Sequence, residues 1–456
     1  MKTTATRTGA VSQSRGFGDL LYDKAGSRPI LDLDFAGTQS LKDKLTGKNL
    51  VTYTRSSNGT YIDSAGIIKT SLNNAPRFTH DPTTLESLGL LIEESRVNKA
   101  KSVVNLYTNN KKADLSADTS VTAPDGTTTA YKLVPNTDNA THWRQSGQIS
   151  LTGGKYYSYS LFVKPDYYKG IVLGIQSNCY ATFNLDTGAV TGSHIDNVNN
   201  SSEVSAEIIA YTNGWYRCVL KFLKVNSENK KIQVYVADSA TNNIRNPSFT
   251  GNGTNKLWIW GSQLEEESHS DSGGAFPTSY IYTTDSEVTR AADLAEITGD
   301  NFTGIWSTTA NTMYCEVNYT AKAYYPRMAE FVSLDAGGDA YAQTLMFDHT
   351  DNKLIGRVYT QAGLQLNEKL GTVFSDDSTV KGVNAYELNN GIMGANGVLS
   401  SADTSLALHV TDDTALADKL VIGGGFTSTH NLNNTVKRFT HWTTRIPDQS
   451  LINITQ

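Results

Sequence analysis

The sequence predicts an all-β protein: a multi-domain chain of antiparallel β-sandwiches. Three observations carry that prediction. Charged residues make up 18% of the 456 residues, below the roughly 25% of ordinary soluble chains. Thr, Asn, Ser, Gly and Tyr fill the space that Ala, Glu, Lys and Leu would occupy in a helical bundle, and they favour strands and turns. Short runs of alternating apolar and polar residues recur, broken by turn signals roughly every 8–12 residues, and no helix-length apolar stripe interrupts them between residues 101 and 290.

Charge and composition exclude several classes. The net charge is −6 with 23 Tyr, 14 Phe and 6 Trp, so the chain can build cores and is not disordered. No basic footprint marks nucleic-acid binding. No apolar run approaches the roughly 18 residues of a membrane span, and the N-terminus lacks the apolar stretch of a secretory signal. Cys179, Cys218 and Cys315 form neither an even disulfide framework nor a metal knuckle. They are expected as buried free thiols in a protein folded in a reducing cytoplasm.

Taken in order, residues 1–27 are polar and are expected as a flexible arm that attaches to a partner. Residues 28–100 read as an N-terminal β module. Its signals are Ile30–Phe35, Val51–Arg55, the turn Ser57-Asn58-Gly59 before Thr60–Asp63, and a second turn at Ser64-Ala65-Gly66. Residues 101–290 read as a jelly-roll-like sandwich of about eight strands. Here Tyr157, Tyr159, Leu161 and Val163 share one face, and Ile232–Val236 and Leu257–Gly261 alternate. Trp215, Trp258 and Trp260 are expected in core. Residues 291–456 read as a second, separate sandwich, with strands at Met313–Tyr319, Phe331–Leu334, Lys353–Tyr359, Leu420–Gly423 and Val436–Trp442. A short helix closes the chain near Pro447–Ile454.

Candidate chemistry is sparse. Glu93 and Glu94 in Leu-Gly-Leu-Leu-Ile-Glu-Glu-Ser-Arg-Val-Asn (88–98) are a carboxylate pair of the type hydrolases use. Adjacent strand residues point to opposite faces, however, so a structural role with Glu94 pairing Arg96 is expected. There is no nucleophile elbow, no Cys/His signature and no histidine pair at zinc-ligand spacing. Asp335–Asp339 and Asp348–Asp351 lack EF-hand spacing and read as solvated turns. No catalytic residue, metal or cofactor is expected. Sugar binding is the better reading, because exposed aromatic faces stack on sugars while amides and carboxylates reach their hydroxyls. The candidates are Trp143, Tyr167-Tyr168 in a Pro-led loop, and Tyr324-Tyr325 before Pro326.

Several blocks occur in a particular order. They are Thr54–Ser57 with Gly59–Asp63, then Ala75–Phe78 with His80-Asp81-Pro82, the 88–98 segment, Ala123–Thr127, Gly214–Arg217, Leu257–Glu265, Phe276–Ile281 and Val288–Asp293. Together they resemble the head-spike, head-fibre and tail-fibre structural proteins of tailed bacteriophages over residues 30–295. The part ending in Arg438–Trp442 and Arg445-Ile446-Pro447 resembles a concanavalin A-like (laminin-G-like) sandwich. The acidic stretch Glu265–Asp271 is longer than the resemblance implies and is expected in a loop. The resemblance implies a virion component made in the host bacterial cytoplasm. It is expected to be a homotrimer, tethered to other virion proteins by the arm and projecting its sandwiches toward a host surface glycan. A capsid decoration protein without host ligand and a polysaccharide depolymerase are the alternatives. The depolymerases of such particles commonly carry β-helix repeats, and no such repeat is present.

Overall fold

The computed structural model describes residues 18–101, 112–238, 244–267, 274–321, 323–332, 341–360, 363–408, 417–425 and 430–456. The protein is all-β, built of two antiparallel sandwiches with separate cores. In the first, a five-stranded sheet runs in the order Trp143–Gln145, Ile232–Ala237, Gly170–Ile175, Cys179–Asn184, Ala189–Ile195. It faces a larger sheet centred on Lys155–Pro165, whose neighbours are Tyr216–Lys224 and Leu257–Glu266. Alternation does the sorting. Val234 and Val236 meet Leu161, Val163, Leu173 and Leu220 in the core, while Gln233 and Tyr235 face outward.

Leu257–Glu266 changes face along its length. Leu257 and Ile259 point into the core, a register shift follows at Gly261, and Leu264 then points inward. Gly261 has φ +60°, which a side chain rarely adopts. On the outer side of this sheet Trp215, Trp260 and Phe162 form a third apolar cluster with Ile68 and Tyr280, and Trp258 packs against it. Trp215 and Trp260 are therefore core, as expected, while Trp258 is half-buried at the cluster's edge.

The second sandwich is assembled from both ends of the chain. Strand Asn434–Trp442 pairs with Asn311–Asn318 on one side. On the other side it pairs with Leu31–Asp34 and with Ser87–Ile92. In the opposite sheet Thr52–Thr54 pairs with Leu294–Thr298. Leu31, Leu33, Phe35, Val51, Tyr53, Leu90 and Ile92 share one core with Met313, Phe331, Leu354 and Phe439. Residues 28–100, expected as a module of their own, are thus mostly strands of the sandwich assigned to 291–456. The first sandwich is an insertion: the chain leaves the second after Ile92, enters the first at Arg96 and returns between Arg290 and Leu294. Hairpin Gly59–Ile62/Ile68–Ser71 packs across the junction, with the Ile68 amide donating to the Pro124 carbonyl at 3.0 Å.

The arm expectation is corrected in part. Leu20–Ala25 is a helix capped by the Asp19 side chain and ended by Gly26 at φ +72°. Leu21, Tyr22 and Ala25 pack with Trp442, Leu451 and Ile454, the last two from the closing helix Asp448–Thr455. Residues 1–17 lie outside the described residues. Glu265 and Glu267, expected in a loop, are buried at the end of Leu257–Glu266, carried there by the register shift at Gly261.

Candidate functional site

The carboxylate pair lies at the crossing between the sandwiches. Glu93 and Glu94 are buried between strands Ser87–Ile92 and Arg96–Asn98, and they diverge. Glu93 accepts from the Ser279 amide and hydroxyl, both at 2.6 Å, and pairs with Arg77 at 2.7 Å and Arg290 at 3.5 Å. Glu94 pairs with Arg96 at 2.6 Å, as expected, and accepts from the Asn433 side-chain amide. On the return connection Asp293 accepts from Tyr53 (2.5 Å), Arg55 (3.2 Å), Arg77 and the Glu93 amide (2.8 Å). The Asn431 side-chain amide donates to the Glu93 and Asp293 carbonyls, at 2.9 and 3.0 Å, and so ties the two connections together. Burial alone would raise the Glu93 carboxyl, but Arg290, Arg77 and the Ser279 hydrogen bonds overcome it and hold it at about 2. Burial pushes the Glu267 carboxyl, beside Arg96, well above its ordinary value. Each of these acids is engaged by cations or hydrogen-bond donors that fix the crossing.

The outer face of the five-stranded sheet is different. Register sets two outward rows across it. One runs Trp143, Tyr235, Val172, Thr182, Gly192; the other runs Gln145, Gln233, Gly174, Tyr180, His194. Trp143, half-buried, lies parallel to the Tyr235 ring with centroids 5.4 Å apart and planes at 14°. Tyr180 and His194 stack at 5.0 Å and 21°. Arg245, from the connection after Ile232–Ala237, lies over this face. It donates to the Gln233 side chain (2.8 Å) and the Ile175 carbonyl (3.2 Å), pairs with Asp196 and sits 5.8 Å from the Tyr180 ring centre. Burial pulls the Arg245 guanidinium below its ordinary value. An open groove of about 660 Å³ follows, running from Thr141 and Trp143 to Asp196 and Asn197 over Gln233 and Arg245. It offers an aromatic platform and a ring of amide, guanidinium and carboxylate groups, the set that recognises a hydroxyl-rich ligand.

The other expected residues are placed differently. Tyr167 is 61% exposed and meets the Tyr168 ring edge-on at 5.2 Å. Tyr168 is 2% exposed and belongs to the core of the first sandwich, so it presents no stacking face, a correction that follows from its packing against Phe249. Tyr324 and Tyr325 are half-buried and pack on His349, with ring centres 5.0 and 4.3 Å away, in the second sandwich. They are far along the chain from Trp143 and in a different sheet system. Tyr235, Gln233, Tyr180, His194, Arg245 and Asp196 are the site residues that sequence reasoning missed. The alternation of Ile-Gln-Val-Tyr-Val was the one available signal, since it sets Gln233 and Tyr235 against the core valines.

Among the described residues no group of three His, Cys, Asp or Glu side chains could hold a metal ion. Asp348 and Asp351 pair with Lys369 at 2.8 and 2.7 Å, and Asp335 and Asp339 lie outside the described residues. No described helix is long and apolar enough to cross a membrane. A second cavity of about 370 Å³ opens at the seam of the two sandwiches, lined among others by Leu91, Glu93, Phe276, Lys221, Glu207 and Asp377. Burial raises the Asp377 carboxyl, with Asp376 and Glu207 adding to the effect.

No family model matches the chain, and no curated protein matches it. Solved structures that resemble it include the CBM40 of Ruminococcus gnavus IT-sialidase bound to alpha2,6 sialyllactose. That match has 13% identity and a TM-score of 0.28, over 33% of this chain and 85% of that one. Trypanosoma rangeli sialidase matches at 12% identity and a TM-score of 0.29, over 72% of this chain and 60% of that one. The chain thus spans about three fifths of the sialidase.

Proposed function

We propose that this chain is a non-enzymatic adhesion protein of a bacteriophage particle, a head or tail fibre or spike, that holds host surface glycans on the Trp143 face. One observation carries the binding half. Trp143 is stacked on Tyr235 at the edge of an open groove rimmed by Gln233, Arg245, Asp196 and Asn197. A half-buried indole supported from beneath by a second ring is held in place for a sugar face at little further entropic cost. The virion half is supported by the ordered blocks over residues 30–295. In this reading the protein is made in the host cytoplasm and assembles as a homotrimer, with residues 1–17 contacting other virion proteins. Several copies then turn weak single-site contacts into adhesion.

A bacterial glycan array tests the binding half. Wild-type protein binds a subset of surface polysaccharides and Trp143→Ala loses that signal. A flat array with wild-type protein overturns adhesion and favours a decoration protein. Release of reducing ends from a bound polysaccharide overturns the non-enzymatic part in favour of a depolymerase. Deleting residues 1–17 tests the tether while sparing the helix that packs Leu21 and Tyr22, and a truncated protein that still enters particles refutes it.

A further inference from the structure

Resting on that reading, we infer that the face takes an internal stretch of an uncharged polysaccharide, three to four sugar units laid across the strands, rather than a single terminal sugar. The two outward rows give the reason. Aromatic pairs stand at both ends of the face, Trp143 on Tyr235 at one edge and Tyr180 on His194 toward the other. The first pair lies on the edge strand and its neighbour; the second lies on the fourth and fifth strands. Strands are spaced about 4.8 Å apart, so Trp143 and His194 stand four spacings, roughly 19 Å, apart, a length that fits three to four pyranose rings.

Between the pairs Arg245 lies over Gln233 and reaches toward the Tyr180 ring, 5.8 Å away. Gly174, between Gln233 and Tyr180 in the register, is buried, and a Cβ there would be in ordinary contact with the Tyr180 Cβ at 3.7 Å and the Tyr235 ring at 3.8 Å. A sugar chain crossing from one aromatic pair to the other passes over Arg245. The groove forms the Trp143 end of this course, lined by Trp143, Tyr235, Gln233 and Arg245, and the Tyr180–His194 pair lies beyond its lining.

The lining also selects against charge. Its two ionic side chains, Arg245 and Asp196, pair with each other, and the remaining polar side chains are hydroxyls and the amides of Gln176, Gln233, Asn197 and Asn246. An acidic sugar would have to compete with Asp196 for Arg245, and a basic one would have to displace Arg245 from Asp196. Neutral hydroxyl and N-acetyl groups match amide donors and acceptors without breaking that pair.

Calorimetric titration tests this with oligosaccharides of one to six units cut from the neutral polysaccharides of the array, and with sialyllactose as the acidic probe. Affinity rises with length up to three or four units and then levels. Tyr180→Ala lowers tetrasaccharide affinity by about tenfold, to the level of the disaccharide, and leaves the disaccharide unchanged, whereas Trp143→Ala weakens both. Tyr180→Phe keeps the ring and retains tetrasaccharide binding, which separates loss of contact from loss of fold. A monosaccharide that binds as tightly as the tetrasaccharide overturns the extended site while leaving glycan binding in place. So does an equal effect of Tyr180→Ala on both lengths, or tighter binding of sialyllactose. Absence of binding to every probe overturns both readings.

Discussion

Replacing Asp293 by Ala removes the acid on which the crossing between the sandwiches converges. Its carboxylate is 2% exposed and receives Tyr53, Arg55, Arg77 and the Glu93 backbone amide. The two arginines, 1% and 0% exposed, would remain buried. Arg77 would keep Glu93, but Arg55 would retain only carbonyls and the Tyr53 hydroxyl as partners. Breaking one buried pair in this way costs about 3–5 kcal/mol, because a charge is left uncompensated. With two arginines affected and two further hydrogen bonds lost, the expected loss lies at the upper end of that range. Urea unfolding followed by tryptophan fluorescence measures it as a fall in midpoint at unchanged slope. Asp293→Asn keeps the shape and removes the charge, and it is expected to lose most of the same stability. A loss below about 1 kcal/mol for Asp293→Ala would refute the argument that this network holds the crossing together.

Other outcomes follow from the same structure. The native protein leaves Cys179, Cys218 and Cys315 unreactive toward a thiol reagent and yields three thiols only on unfolding. All three are buried, and burial raises Cys179 to about 12. Acid weakens the fold in two stages, read as the denaturation midpoint against pH. Burial lowers His441 from 6.5 to about 3, so the unfolded chain binds its proton first and stability falls as pH drops below 6.5. Glu93, held at about 2 against an ordinary 4.5, adds a second loss as pH falls below 4.5. Gly89→Ala costs about 2 kcal/mol or more in the same unfolding assay: φ is +91°, and the new methyl would collide with the Val436 carbonyl oxygen on the paired strand.

What the sequence made legible is local. The alternation in Ile232–Ala237 separates core valines from Gln233 and Tyr235, and Tyr157, Tyr159, Leu161 and Val163 do share the core face. Glu94 does meet Arg96, because three residues of connection hold them side by side. Pairings between distant segments left no local trace. Nothing in Leu31-Asp-Leu-Asp34 names Arg438–His441 as its partner strand, and that pairing is what joins residues 28–92 to the C-terminal sandwich. The same limit applied to the site. Trp143 stood out as a tryptophan between polar residues, but its supporting ring is Tyr235 on a strand about ninety residues later. Tyr168 looked exposed beside Tyr167, yet neighbours on a turn take opposite sides, and one of them fills the core.

The most direct measurement is a structure of the full chain with a tetrasaccharide taken from a polysaccharide that the array identifies. The account predicts sugar density along the outer face of the five-stranded sheet, with one ring over Trp143 and the chain passing over Arg245 and Gln233. Density confined to the seam cavity near Asp377, or to the Tyr324 and Tyr325 side of the second sandwich, with the Trp143 face empty, would contradict it.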